Sequence, residues 1–100
     1  MDNNLLVLTQ NSLVVSGDLY WESLDAFVAA GDKLLAMPDR VLTLDFSKTS
    51  FMSSSFVGAI GTFIVRAVRR RKKVIIRSSL DVCWLFEIMG SRNMFEMEIV

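Results

Sequence analysis

The chain has 100 residues, 52% of them hydrophobic, with 11 lysines and arginines balanced by 11 aspartates and glutamates. This describes one domain, residues 1–100, with a core of its own, and excludes both a disordered chain and a general nucleic-acid binder. With no histidine and a single cysteine, Cys83, it offers no zinc site, no Ser–His or Cys–His catalytic pair and no internal disulfide.

Residues 5–9 and 13–16 are short apolar runs separated by Gln10-Asn11-Ser12, which predicts a hairpin with Asn11 in the turn. Gly17-Asp18 breaks the second strand. Between residues 20 and 37, Leu24, Phe27, Val28, Leu34 and Leu35 recur at helical spacing, with Gly31 interrupting the helix and Pro38 stopping it. Residues 40–46 hold Val41, Leu42, Leu44 and Phe46, a nearly continuous apolar run that predicts a central strand covered on both faces. A second helix is expected over residues 54–70 and a β-branched strand at 74–76. Ser78 or Ser79 is placed to cap a third helix running to about Met89 and stopped by Gly90, and residues 94–100 read as a last edge strand. Helices alternating with strands imply an α/β fold with a mixed, mostly parallel sheet of four to five strands and helices packed on it.

Three serines, Ser53, Ser54 and Ser55, open the second helix. The first backbone N–H groups of a helix lack intrahelical partners and its dipole favours negative charge there. A phosphate on Ser54 or Ser55 would sit in a favourable field; the plainer reading is that one serine caps the helix. Val57, Ile60, Ile64 and Val68 form one apolar stripe, and Phe56, Ala59, Phe63 and Ala67 a second, about 100° around the helix. A single sheet cannot bury both, so Phe56 and Phe63 either meet a neighbouring helix or serve as aromatic anchors for a partner. Gly58 and Gly61 would let this helix lie close to another element.

The helix ends in a basic run, Arg66, Arg69, Arg70, Arg71, Lys72 and Lys73. It reads first as a solvated end that complements the dipole, and second as a patch for an acidic partner or anionic headgroups. The third helix, with Trp84, Leu85, Phe86, Ile88 and Met89, reads first as core, and Cys83 as a small buried hydrophobe. No apolar run approaches the roughly 18 residues of a membrane span. Met1-Asp2-Asn3-Asn4 lacks the basic start of a secretory signal, so a cytoplasmic location is expected. Neither metal nor cofactor is expected, there being no glycine-rich phosphate loop.

Val14-Val15-Ser16-Gly17-Asp18-Leu19 before a helix, then Leu44-Asp45-Phe46-Ser47 and Phe51-Met52-Ser53-Ser54-Ser55-Phe56-Val57-Gly58, resemble the STAS domain, the family that includes the anti-sigma factor antagonists of bacteria. The resemblance spans nearly the whole chain. It implies the STAS fold and a non-enzymatic module of signalling and transcription regulation. Such a module binds a serine kinase that doubles as an anti-sigma factor, and phosphorylation of a serine switches that binding. Matched residue by residue, the acceptor falls on Ser54, with Ser53 and Ser55 as alternatives. The implied partner surface is Ser53, Ser55, Phe56, Val57 and Phe63, and a homodimer remains open.

The chain departs from the family pattern where Ser53 replaces an aspartate, Phe56 a glycine, and Tyr20 an acidic residue before the first helix. Phe56 puts a bulky ring where the family's backbone lies bare. These departures favour a second reading, a non-phosphorylated STAS subunit held permanently in a lipid-transport ATPase or stress-signalling assembly.

Overall fold

The computed structural model describes residues 5–89 and 92–100. The hairpin consists of β1 (Leu5–Leu8) and β2 (Ser12–Ser16), closed by the Thr9 N–H donating to the Ser12 carbonyl at 2.8 Å. Asn11 sits in the turn and ties it to the next strand. Its carbonyl accepts from the Thr43 N–H at 2.9 Å, and its side-chain amide donates to the Val41 carbonyl at 3.2 Å. Gly17 adopts a positive φ of 90°, which a residue lacking Cβ reaches without strain, and the chain leaves the sheet there.

A 3-10 turn, Trp21–Ser23, leads into α1 (Leu24–Leu35). The expected interruption at Gly31 is corrected: α1 runs through it. A Cβ at Gly31 would stand 3.3 Å from Phe63 Cδ2, so the missing side chain is what lets the next helix's aromatic ring lie against α1. The remaining elements are β3 (Val41–Lys48), α2 (Ser54–Arg69), β4 (Lys73–Ser78), α3 (Cys83–Glu87) and β5 (Phe95–Ile99), the last preceded by a 3-10 turn at Arg92–Met94. The sheet order is β1-β2-β3-β4-β5, with β1 antiparallel to β2 and every other neighbour parallel.

The third helix is shorter than its apolar run predicts, and neither Ser78 nor Ser79 caps it. Ser78 ends β4, and the Ser79 hydroxyl donates to the Thr49 carbonyl at 2.7 Å. The expected stop at Gly90 lies outside the described residues.

The expectation that β3 is covered on both faces is also corrected. Leu42, Leu44 and Phe46 face the helices and are buried, while Thr43 and Asp45 alternate onto the opposite face. There Asp45 accepts from the Ser47 N–H at 2.9 Å and pairs with Arg77 Nη1 at 3.3 Å; Arg77 Nε in turn lies 3.4 Å from Glu98. The register places these three residues side by side across β3, β4 and β5. An apolar run interrupted by one aspartate thus reads as a half-open strand once the aspartate has cross-strand partners.

All the buried apolar residues form one cluster on the helical face. Its centre is a relay of rings. Phe56 of α2 packs on Phe27 of α1 with centroids 4.8 Å apart, and Phe27 lies 6.3 Å from Phe46 of β3. Phe46 stacks on Phe86 of α3 at 5.7 Å, and Phe86 meets Phe95 of β5 edge-on at 6.4 Å. Both stripes of α2 find cover: Ile60 and Ile64 from the first, Phe56, Phe63 and Ala67 from the second. The sheet covers one flank and α1 covers the other.

Candidate functional site

The parallel strands β2, β3 and β4 finish at the same end of the sheet, and the loops that follow them are bonded together. Leu19 N–H donates to the Phe51 carbonyl at 2.9 Å, and Ser53 N–H to the Leu19 carbonyl at 2.9 Å, so the loop after β2 holds the start of α2. The buried Thr49 hydroxyl donates to the Val15 carbonyl at 3.2 Å, and Ser79 reaches across from the end of β4 to the Thr49 carbonyl. The first turn of α2 is therefore presented from a fixed rim.

Ser53 is the N-cap of α2. Its backbone is extended (φ −74°, ψ 162°) and its hydroxyl accepts from the Phe56 N–H at 3.4 Å. Its carbonyl accepts from the Phe56 and Val57 N–H groups at 3.1 Å each. Ser53→Ala should cost about 1 kcal/mol of folding free energy. Urea unfolding reads this directly, and a loss of no more than about 0.2 kcal/mol would show that the long cap bond contributes nothing measurable.

Ser54 and Ser55 follow in the first turn and are exposed. No acidic residue stands in that turn, so the positive end of the helix is left without a compensating carboxylate. The sequence places Ser53, Ser54 and Ser55 together, and the structure gives them different tasks: Ser53 spends its hydroxyl on the helix, while those of Ser54 and Ser55 face solvent.

Phe56 and Phe63, read from the sequence as partner-binding anchors, lie in the core, at 0% and 4% exposure. The correction has a simple cause. Position 56 falls on the side of α2 that faces α1, where Phe27 receives its ring, and Phe63 fills the space that Gly31 leaves. The bulky ring at position 56 consequently does not project beside the serines. Val57 is half-buried. A Cβ at Gly58 would meet nothing within 4 Å, so this glycine faces open space rather than a close neighbour.

The exposed apolar side chains around this end are others. Trp21 is 72% exposed and Leu80 73%, joined by Tyr20, Phe51, Trp84 and Ile88. Tyr20 and Phe51 pack together at 5.1 Å across two loops, and Trp84 Nε1 donates to the Asp81 carbonyl at 3.2 Å. The sequence pattern assigned Trp84 and Ile88 to a core helix, but a helix of five residues fully buries only Phe86. Trp21 and Phe51 lie outside the α-helices and strands, where there is no period to read.

The basic run lies at the far end of α2. Arg66 pairs with Asp32 at 2.7 Å and Lys73 with Glu96 at 2.6 Å. Lys72 Nζ donates to the Met37 and Asp39 carbonyls at 2.6 and 2.7 Å, closing the end of α1. Arg69, Arg70 and Arg71 are exposed. Among the described residues, no group of three or more His, Cys, Asp or Glu side chains is placed to hold a metal. None of the described helices is long and apolar enough to cross a membrane.

No family model and no curated protein matches the sequence. Solved structures do match the fold. The anti-sigma factor antagonist SpoIIAA in its unphosphorylated form superposes with a TM-score of 0.69 at 19% identity, over 95% of this chain and 86% of that one. An anti-sigma factor antagonist from Mycobacterium paratuberculosis superposes with a TM-score of 0.70 at 17% identity, over 95% and 83%. The chain therefore has the STAS fold, as the serine-bearing turn and the element order implied.

Proposed function

We propose that this chain is a bacterial, cytoplasmic protein-interaction module of the anti-sigma factor antagonist type. It binds a serine kinase that doubles as an anti-sigma factor, and phosphorylation of Ser54 switches that binding. The module performs no chemistry of its own. The observation that carries this reading is the division of labour at the start of α2. Ser53 is engaged as the cap, and Ser54 is exposed beside it in a helix-terminal field that no carboxylate answers. A kinase can reach that hydroxyl without opening the fold. The phosphate would bring about 1.5 to 2 negative charges to the rim where a partner docks. The likeness to SpoIIAA, a protein solved in a form described as unphosphorylated, supports the same reading.

A second reading has an observation in its favour. Trp21, Leu80, Trp84 and Ile88 make the rim more apolar than a transient contact needs. They suit a subunit held permanently in a lipid-transport ATPase or stress-signalling complex. Intact-mass analysis of the protein from its host, with peptide mapping over residues 41–66, separates the two. An added phosphate on Ser54 supports the switch, and one on Ser55 moves the acceptor one residue along. No phosphate under any growth condition rejects the switch in favour of the permanent subunit, whose partner should then co-purify.

A further inference from the structure

The two edges of the sheet differ in kind. The β5 edge carries Glu96 and Glu98, drawn into ion pairs with Lys73 and Arg77 of the neighbouring strand. Charges of this sort keep an edge strand from pairing with other chains. The β1 edge reads Leu5-Leu6-Val7-Leu8, with no charge, proline or glycine, and nothing among the described residues pairs with its outer side. Such an edge is a template for another strand.

We propose that β1 pairs with β1 of a second copy of this chain, making a two-fold dimer whose sheet runs continuously through both protomers. This inference is independent of the reading of Ser54.

The hairpin fixes which groups point outward. Thr9 and Ser12 are hydrogen-bonded across the turn, and such pairs alternate along an antiparallel ladder. Val7 with Val14 is therefore a bonded pair, whereas Leu6 and Leu8 turn their N–H and C=O groups to the open edge. In a two-fold antiparallel pairing, Leu6 bonds to Leu8 of the second copy, and the reverse. Val7 then meets its own counterpart on the axis, at a Cα separation of about 4.5 Å.

The side chains suit this arrangement on both faces. On the open face Val7 is 42% exposed beside Val14, and the copy extends that apolar strip across the joint. On the helical face Leu6 and Leu8 are only partly buried, and the second copy would complete their cover.

The argument for a second copy rather than a foreign strand is charge and shape. α1 rests on β1 and β2, and its exposed residues Asp25 and Lys33 lie on either side of Ala29. Neither belongs to an ion pair among the described residues. The two-fold axis sets α1 antiparallel to its copy, bringing Asp25 of each toward Lys33 of the other, with Ala26 and Ala29 permitting close approach. α1 also stands between this edge and α2, so the rim around Ser54 lies on its far side.

Sedimentation equilibrium of the full chain, together with amide hydrogen exchange, tests this. The native protein should dimerise, and the Leu6 and Leu8 amides should become protected as concentration rises. Val7→Lys places two ammonium groups face to face at the axis while leaving the core untouched. It should raise the dimer dissociation constant at least about a hundredfold. Val7→Ile should leave it within about threefold. A native chain that remains monomeric would overturn the proposal. So would a dimer in which Leu6 and Leu8 stay unprotected, because its contact lies elsewhere. The exchange measurement needs no variant, so the outcome does not depend on the folding of Val7→Lys.

Discussion

Truncating Phe56 to alanine should cost about 3 to 5 kcal/mol of folding free energy, a large share of the roughly 5 to 15 kcal/mol that holds such a domain folded. The ring is fully buried, packs on Phe27 at 4.8 Å, and belongs to the aromatic relay that ties α2 through α1 to β3. Its removal forfeits the transfer free energy of the ring and leaves a hole that three elements must collapse around. Urea unfolding followed by tryptophan fluorescence measures the loss. The position invites misreading, because Phe56 stands two residues after Ser54 and an alanine scan would register lost binding there. That loss should scale with the unfolded fraction and disappear under conditions that restore folding. A Phe56→Ala protein that is nearly as stable as the parent, yet fails to bind, would show that the ring leaves the core to meet a partner.

Much of the fold is legible in the sequence because its signals are local. The hairpin follows from two apolar runs and Asn11, and the element order follows from alternating periods of two and 3.6. What escapes local reading is which side of an element is covered, and by what. β3 reads as a doubly buried strand until Asp45 is seen paired with Arg77, 32 residues away in sequence. Gly31 reads as a helix breaker until Phe63, from another helix, is found against it. Phe56 and Phe63 read equally well as anchors or as core, since a helical stripe does not say whether a second helix lies beside the first. At the site, the serine cluster is legible because caps depend on residue type at one position. The bonds that fix the rim, Ser79 to Thr49 and Thr49 to Val15, join residues 30 and 34 apart, and no spacing rule predicts them. The exposed aromatics escape for another reason: tryptophan and phenylalanine are buried in most contexts, and burial was the natural assignment for Trp84.

Changing Ser54 to aspartate should move stability and partner affinity in opposite directions. A carboxylate in the first turn of α2 meets the free N–H groups and the positive end of the dipole, where none now stands. It should stabilise the fold by about 0.3 to 1 kcal/mol at low ionic strength. The same charge lies on the exposed rim among Trp21, Phe51 and Leu80, where a docking partner would have to desolvate it. Binding should weaken by a few kcal/mol, on the order of a hundredfold in Kd. Ser54→Ala, which removes a hydroxyl bonded to nothing else in the described chain, should leave the affinity near that of the unmodified protein. Titration calorimetry with the co-purified partner, run beside thermal unfolding of each variant, gives both quantities. The opposed signs are what make the pair informative: a variant that binds poorly because it is damaged loses stability as well. Equal affinity for the aspartate and alanine variants would remove Ser54 from the interface and leave the surrounding aromatics as the contact. Weak binding by both would assign the hydroxyl itself, rather than its charge state, to recognition.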